Sequence, residues 1–200
     1  MMPLADAKRA ARAHALDARA RAHAGGVGAA RQAAGHALEA LHEAHATGTV
    51  SAYLAIRNEI DAMPLMLALA GLGFGVALPV IVGPGQPLAF RSWTPGAALA
   101  AGPFGTSVPR DGAEVEPDVL VVPMLAFDAR CHRLGYGGGF YDRTIAGLRA
   151  RRPVRAFGLA YAGQELPALP VEATDVQLDA VVTEAGVVRP AAGETALLGA

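Results

Sequence analysis

The chain has 200 residues, of which 52% are hydrophobic and 18% are charged, and its formal net charge at pH 7 is −1. This length and composition predict a single domain over residues 1–200 with a sizeable buried core. The near-neutral charge argues against broad, sequence-independent binding of nucleic acid, and no apolar run approaches the roughly 20 residues of a membrane span.

The cellular setting follows from the N-terminus and the cysteine count. The early charges of Asp6, Lys8 and Arg9 are unlike a secretory signal. A single cysteine, Cys131, excludes an intrachain disulfide and is typical of a reducing compartment. We therefore expect a cytoplasmic protein. We also expect a monomer with small-molecule partners, and neither nucleic acid nor membrane as a partner.

The chain opens with an Ala-rich, basic stretch that predicts a helix over residues 4–24. Lys8 is the only lysine among 17 basic residues, and it shares one helix face with Arg12. In a chain so biased towards arginine, a lone lysine indicates that a compact ammonium is needed. Chance placement on a solvated helix remains the alternative.

The first half continues as alternating helices and strands. The pattern predicts a helix at 29–46, a buried strand at 49–56, a short helix at 64–70 and strands at 76–82 and 88–93. Polar residues, Glu59 among them, follow the 49–56 strand directly. Residues 94–117 are rich in Gly and Pro and predict a long loop with a functional role.

The second half predicts strands at 118–125, 154–160 and 180–183, a helix at 139–150 and a frayed tail over 190–200. Strands that alternate with helices indicate an α/β fold, with a mainly parallel sheet flanked by helices on both faces. Ligands in such sheets bind beyond the carboxyl ends of the strands. Glu59 and the glycine-rich segment after residue 125 both follow strands, so we expect them to face one cleft.

The glycine-rich segment runs Arg133-Leu134-Gly135-Tyr136-Gly137-Gly138-Gly139-Phe140-Tyr141-Asp142-Arg143. Glycines allow successive backbone N–H groups to converge on one anion in front of a helix N-terminus. Arg133 and Arg143 add guanidinium donors, and Asp142 could hold the magnesium that accompanies a nucleotide phosphate. A phosphate site is favoured over a plain flexible turn. The spacing fits neither a Walker loop nor a dinucleotide-binding fingerprint.

Two other patterns are weaker. His42 and His45, with His36 on the same predicted helix, have the spacing of metal ligands, but a solvated face is favoured over zinc because no further ligand motif accompanies them. Cys131 and His132 could suggest a nucleophile and base. Adjacent residues rarely orient in that way, and no third orienting group is evident.

Several of these segments together resemble one family. Asp118–Asp128 and Arg133–Arg143 resemble the signature of 5-formyltetrahydrofolate cyclo-ligase, also called 5,10-methenyltetrahydrofolate synthetase. The pair Lys8 and Arg12, the segment 49–61, the loop 104–109 and the stretch 174–183 are also similar to family motifs, so the resemblance covers most of the chain. It implies an α/β fold related to the NagB/RpiA/CoA-transferase-like group, and ATP- and magnesium-dependent conversion of 5-formyltetrahydrofolate to 5,10-methenyltetrahydrofolate.

The resemblance also implies roles for individual residues. It assigns the chemistry of phosphoryl transfer to Arg133, Tyr141, Asp142 and Arg143. It assigns ATP contacts to Lys8, Arg12, Arg133, Leu134, Gly135, Tyr136, Gly137, Gly138, Gly139, Phe140, Tyr141 and Asp142. It assigns folate contacts to Leu54, Glu59, Phe104 and Tyr141, and magnesium to Asp142 and Asp175.

Most of these roles have a structural alternative. Glu59 could be an acid at a helix N-terminus, Asp175 could cap a turn, Phe104 could be core under a loop, and Leu54 is better explained as core. Val108 and Ala62 depart from the family pattern, where Glu and Thr are usual. They leave open a folate- or nucleotide-binding regulator without turnover. A further alternative is a related ATP-dependent enzyme that acts on another formylated or pterin-like substrate.

Overall fold

The computed structural model describes residues 3–191. Its helices are α1 (Leu4–Gly25), α2 (Ala29–Glu43), α3 (Met63–Gly71) and α4 (Phe140–Arg149), with short 3-10 turns at Pro103–Gly105 and Ala162–Gln164. The four predicted helices are confirmed, although α2 ends earlier than expected. None of the described helices is both long and apolar enough to cross a membrane. The predicted frayed tail lies, from residue 192 onward, outside the described residues.

The strands are short. They are β1 (Thr49–Ser51), β2 (Gly75–Ile81), β3 (Leu88–Trp93), β4 (Leu99–Ala101), β5 (Ser107–Pro109), β6 (Val119–Val122), β7 (Ala126–Phe127), β8 (Arg133–Leu134), β9 (Arg155–Leu159), β10 (Ala180–Thr183) and β11 (Gly186–Val188). Seven of them form one sheet in the order β11-β10-β9-β6-β1-β2-β3, and the other four form the hairpins β4–β5 and β7–β8.

The main sheet has a parallel centre and antiparallel edges. β10, β9, β6, β1 and β2 run parallel to one another, whereas β3 and β11 pair antiparallel at the two edges. The predicted mainly parallel sheet is thus confirmed. After β1 the chain goes to β2 on one side and later returns to β6 on the other side, so a topological switch point lies between β1 and β6. Sheets of this kind bind ligands at the carboxyl ends of such strands.

Helices cover both faces of the sheet, as predicted. Successive side chains of β6 pack on opposite faces of the sheet. Val119 and Val121 lie in the same buried cluster as residues of α2 and α3, whereas Leu120 and Val122 lie in the cluster that holds Ile145 of α4. Because both faces are buried, the strand reads as a continuous apolar run rather than an alternating one.

α1 does not cover a face but lies along the carboxyl ends of the strands. The Arg19 guanidinium donates to the Met124 carbonyl after β6 at 3.4 Å, and Arg12 Nε donates to the Gly135 carbonyl after β8 at 3.0 Å. Farther along, His23 Nδ1 lies 2.9 Å from the Tyr161 hydroxyl after β9. The helix therefore borders the edge of the sheet where ligands are expected.

Three predictions about strands were wrong. The strand predicted at 49–56 ends at Ser51, because beyond Ala52 the chain turns so that the Tyr53 hydroxyl donates to the Ile60 carbonyl at 2.9 Å. The strand predicted at 118–125 ends at Val122, where Pro123 has no N–H for the ladder. The loop predicted at 94–117 contains the β4–β5 hairpin, and β7, β8 and β11 were not predicted.

Candidate functional site

The glycine-rich segment forms an open loop between β8 and α4. Gly137 and Gly139 have φ angles of 95° and 63°, in the left-handed region. A Cβ atom at residue 139 would lie 2.6 Å from an Arg143 guanidinium nitrogen. The N–H groups of Gly137, Gly138 and Gly139 donate to no other described residue. These donors precede the N-terminus of α4, which is the arrangement that binds anions.

Two arginines flank the loop, and each keeps an unused donor. Arg133 lies 2.9 Å from Asp142 Oδ1, and Arg143 donates to the Gly138 carbonyl at 2.5 Å. The Nε atoms of both arginines are buried without an acceptor among the described residues. Burial lowers the pKa of Arg133, while Asp142 opposes that effect. Buried donors without acceptors are uncommon in proteins, so the pair fits an anionic ligand.

Lys8 lies at the same edge, on the first turns of α1. Its Nζ is 2.6 Å from Glu172 Oε1 and 2.6 Å from Asp175 Oδ2. Burial lowers its pKa, but the hydrogen bonds to Asp175 and Glu172 prevail and raise the pKa above 10.5. The residue is only 8% exposed. This burial contradicts the alternative of a solvated helix face.

Arg12 follows Lys8 by one helical turn and reaches the glycine loop. Besides donating to the Gly135 carbonyl, its guanidinium lies 3.2 Å from the place that a Cβ of Gly137 would occupy. A side chain at Gly137 would thus crowd Arg12. The lysine of this helix face thus contacts the 172–175 segment, and the arginine contacts the glycine loop.

Two carboxylates suited to magnesium come from different segments. Asp142 Oδ1 accepts the Val176 N–H at 3.0 Å, which joins the first turn of α4 to the residue after Asp175. Asp175 Oδ2 also accepts the Glu172 N–H at 2.9 Å, so it closes a turn as the alternative held. Within residues 3–191 no group of three or more His, Cys, Asp or Glu could hold a metal ion. Magnesium commonly uses one or two carboxylates together with substrate phosphates, which this pair fits.

Glu59 is buried at the neighbouring strand end and is 6% exposed. Its Oε2 accepts the Ile56 N–H at 3.0 Å, and its Oε1 lies 3.7 Å from an Arg19 nitrogen. Burial raises the pKa of Glu59, whereas the Ile56 N–H and the Arg19 charge lower it. The alternative of a helix N-terminal acid is wrong, because α3 begins only at Met63 and has no acid in its first turn.

Sequence reasoning missed two arginines that lie against Tyr136 of the glycine loop. Arg19 donates to the Tyr136 hydroxyl at 2.6 Å, and its guanidinium carbon is 5.5 Å from the ring centre. The Arg57 guanidinium is also 5.5 Å from that centre. The spacing of Arg19, seven residues after Arg12, could have placed it on the same helix face. The positive φ of Arg57, 53°, has no signal in the sequence.

The remaining predicted residues are more dispersed. Tyr141 lies in the first turn of α4, with the Arg133 guanidinium carbon 6.0 Å from its ring, and burial raises the pKa of its hydroxyl. Phe104 is 76% exposed at the tip of the β4–β5 hairpin with a φ of 59°, so the alternative that it is core is wrong. Leu54 packs against the core under α2 and α3. Val108 and Ala62, the departures from the family pattern, are both buried.

The two weaker patterns have structural explanations. His42 and His45 are both exposed, as the favoured solvated face requires. His36 Nδ1 lies 2.9 Å from the Thr183 carbonyl, which ties α2 to β10. Cys131 is fully buried, and burial raises the pKa of its thiol to about 11. A thiol with that pKa is not a nucleophile near neutral pH.

A cavity of about 490 Å³ opens at the opposite edge of the sheet, where the strands begin. Its charged side chains pair with one another: Arg152 lies 2.7 Å from Asp118, and Arg149 lies 2.7 Å from Asp179. Both carboxylates also accept backbone N–H groups of nearby strands, from Thr49 and Ala156. These ion pairs tie strand starts together, although Arg152 also has a buried Nε without an acceptor among the described residues. The described lining of the cavity has no glycine loop with unused backbone N–H groups, so the candidate site is the open carboxyl edge.

Comparison with known proteins identifies the family of the chain. Residues 5–184 match the model of the 5-formyltetrahydrofolate cyclo-ligase family. The chain is 37% identical to 5-formyltetrahydrofolate cyclo-ligase of Escherichia coli (strain K12) over 138 residues, which are 66% of this chain and 75% of that protein. It is 37% identical to the protein of the same name from Mycolicibacterium smegmatis over 140 residues, 66% of this chain and 71% of that one.

A solved structure gives the same result. The NMR structure of 5,10-methenyltetrahydrofolate synthetase from Aquifex aeolicus matches this fold with a TM-score of 0.70 and 28% sequence identity. The match covers 96% of this chain and 95% of that one. The likeness therefore extends over nearly the whole chain.

Proposed function

This chain belongs to the 5-formyltetrahydrofolate cyclo-ligase family, and we propose that it converts 5-formyltetrahydrofolate and ATP into 5,10-methenyltetrahydrofolate, ADP and phosphate. The observation that carries the proposal is the set of unused donors around the glycine loop. These are the N–H groups of Gly137–Gly139 and the buried Nε atoms of Arg133 and Arg143. These donors have no acceptor among the described protein atoms, and an anion with several oxygens would supply such acceptors.

The reaction needs little covalent chemistry from the protein. The formamide oxygen is a poor leaving group, so the γ-phosphoryl group of ATP is transferred to it and ADP departs. The folate N10 then attacks the formyl carbon, the C–O bond breaks, and phosphate and the N10 proton leave. Catalysis consists of holding two substrates in line and offsetting phosphate charge.

We assign the phosphates of ATP to the glycine loop and its cations. Lys8, kept as an ammonium by Glu172 and Asp175, and Arg12 border the loop on the α1 side. Arg133 and Arg143 border it on the α4 side. Both groups of cations come from helices or strand ends that the sheet already fixes, so the site is preorganised for developing negative charge.

We assign magnesium to Asp142 and Asp175. One oxygen of each is engaged, Oδ1 of Asp142 by Arg133 and Val176 and Oδ2 of Asp175 by Lys8 and Glu172. The other oxygen of each carboxylate is then the candidate ligand. When bound, the ion would neutralise charge on the transferred phosphoryl group.

We assign the folate to the neighbouring strand end. The buried Glu59 carboxylate accepts hydrogen bonds from N–H groups of the pteridine, and Tyr141 and the exposed ring of Phe104 supply aromatic contact. Leu54 adds apolar surface at the border of the core. Glu59 and Tyr136 of the loop share one partner, Arg19, so folate and phosphate sites are neighbours.

A phosphate-release assay tests the proposal. With ATP and magnesium alone, the enzyme should release phosphate only at background rate. Addition of 5-formyltetrahydrofolate should start release, with one phosphate formed for each methenyl product. Phosphate release without product, or product without phosphate, would reject the proposed coupling.

A further inference from the structure

Arg19 is the largest fully buried side chain among the described residues, at 1% exposure. A buried guanidinium is costly unless its donors are well satisfied. Here they are not: the ion pair to Glu59 spans 3.7 Å, the bond to the Met124 carbonyl spans 3.4 Å, and Nε has no acceptor in the described structure. Such an arrangement contributes little to the stability of the fold, so stability does not explain why this charge is buried.

The partners of Arg19 come from three separate segments of the candidate site. Glu59 follows β1, Met124 follows β6, and Tyr136 belongs to the glycine loop. Its short contact, 2.6 Å, is the one to the Tyr136 hydroxyl. The guanidinium therefore spans the switch point between β1 and β6. It also lies on the same helix, α1, as Lys8 and Arg12.

We propose that Arg19 is a positioning residue that joins the folate site to the phosphate loop, holding the Glu59 carboxylate with one end of its guanidinium and the Tyr136 hydroxyl with the other. The inference rests on the proposed function, because it takes Glu59 as the folate acceptor. Arg19 need not touch either substrate. Its effect is to keep a buried acid ionised for the pteridine while fixing the loop that receives ATP.

The charges that face Glu59 support this assignment. Arg57, on the same loop as Glu59, is exposed, so solvent screens its charge. The Tyr53 and Tyr141 hydroxyls face Glu59 from the segment after β1 and from α4, and burial raises the pKa of both, which keeps them neutral. Arg19 is the buried cation beside the acid. Without it, burial would raise the pKa of Glu59 further.

The test compares Arg19→Met and Arg19→Lys with Arg21→Met, which removes an exposed arginine from the same helix. For Arg19→Met we expect kcat/KM for 5-formyltetrahydrofolate to fall about 10- to 100-fold, with the KM for formyl-folate rising more than the KM for ATP. The acid limb of the pH profile should move to higher pH. Arg19→Lys should keep the acid limb near its original position and lose part of kcat/KM. Arg21→Met should match the wild type.

A second comparison separates positioning from general damage. In a Glu59→Gln background, the further change Arg19→Met should cost much less than it does alone, since the acid it holds is gone. Wild-type pH profile and KM in Arg19→Met, or full additivity with Glu59→Gln, would overturn the proposal. Should Arg19→Met fail to fold, an acid limb displaced in Arg19→Lys would overturn it equally.

The Glu59 pKa itself distinguishes this inference from the proposed function. Carbon-13 NMR of labelled glutamate should show a higher Glu59 pKa in Arg19→Met than in the wild type, whether or not the enzyme turns over. A wild type that forms no methenyl product would reject the proposed function. An unchanged Glu59 pKa in Arg19→Met would reject the role of Arg19.

Discussion

Lys8 Nζ lies 2.6 Å from Asp175 Oδ2, although 167 residues separate the two in the chain. The contact joins the first helix to the segment that precedes β10, and both flank the glycine loop. Asp175 is followed by Val176, whose N–H binds Asp142. The ion pair thus connects a cation proposed for ATP with both carboxylates proposed for magnesium.

Replacement of Lys8 by Met should raise the KM for ATP about 10- to 100-fold, because the phosphates lose a charged donor. The KM for formyl-folate should change little. Arg9→Met is the matched control, since the Arg9 side chain is 79% exposed and, among residues 3–191, forms an ion pair only with Asp6. Steady-state kinetics with each substrate varied in turn measures the effect. An equal rise in the KM for ATP in Lys8→Met and Arg9→Met would show that Lys8 does not contribute to ATP binding.

Replacement of Asp142 by Asn should lower turnover at least about 100-fold, since the change removes charge but keeps the shape and the acceptor for Val176. Asp179→Asn is a matched control at the opposite edge. Asp179 also pairs with an arginine, Arg149 at 2.7 Å, and accepts a backbone N–H, from Ala156 at 2.6 Å.

The two variants should therefore separate activity from stability. Asp179→Asn should lose about 1–3 kcal/mol of unfolding free energy and retain its turnover at temperatures where it is folded. Chemical denaturation and the turnover assay, run on both proteins, measure the two effects. An Asp142→Asn enzyme with normal turnover would refute the magnesium assignment.

Replacement of Phe104 by Ala should raise the KM for formyl-folate about 2- to 10-fold, through the loss of an aromatic contact. Its thermal midpoint should stay near that of the wild type, because the ring is already 76% exposed. Leu72→Ala, at another exposed apolar residue, 66% exposed, provides the control and should change neither quantity. A marked fall in the thermal midpoint of Phe104→Ala would show a packing role instead.

Replacement of Gly139 by Ala should destabilise the protein by about 1–2 kcal/mol, because a left-handed φ disfavours a Cβ. The new atom would also lie 2.6 Å from an Arg143 nitrogen. Gly147→Ala, inside α4 with open space around it, should stabilise by up to about 1 kcal/mol. Urea denaturation of both variants gives the free energies. An unchanged free energy of unfolding in Gly139→Ala would mean that the glycine loop accommodates the new Cβ by relaxing.

The helices and the glycine loop could be predicted from local sequence, whereas strand lengths could not. Helical spacing placed Lys8 and Arg12 on one helix face, and composition identified the glycine loop. Both signals depend only on residues that are close in sequence. The position of Glu59 followed from a strand correctly started at Thr49. Strand lengths were wrong because Tyr53 and Pro123 end the ladders through a tertiary hydrogen bond and a missing donor, neither of which alters the apolar pattern.

Arg19 and Arg57 could not be predicted as partners of Tyr136. Arg19 lies on α1, Arg57 on the loop after β1 and Tyr136 on the loop after β8, so only the folded sheet brings the three together. An arginine in an Ala-rich helix resembles the other arginines there, and its burial depends on α1 lying along the carboxyl edge. Phe104 was assigned from resemblance, whereas its exposure and positive φ belong to a hairpin that was not predicted.

In the proposed function, the carboxyl edge couples ATP to ring closure of a formyl-folate. The most direct test follows the near-ultraviolet absorbance of the methenyl product after the purified protein is mixed with 5-formyltetrahydrofolate, with and without ATP and magnesium. We predict an absorbance rise that requires ATP and that Asp142→Asn lacks. No rise in the wild type with both substrates present would contradict the account.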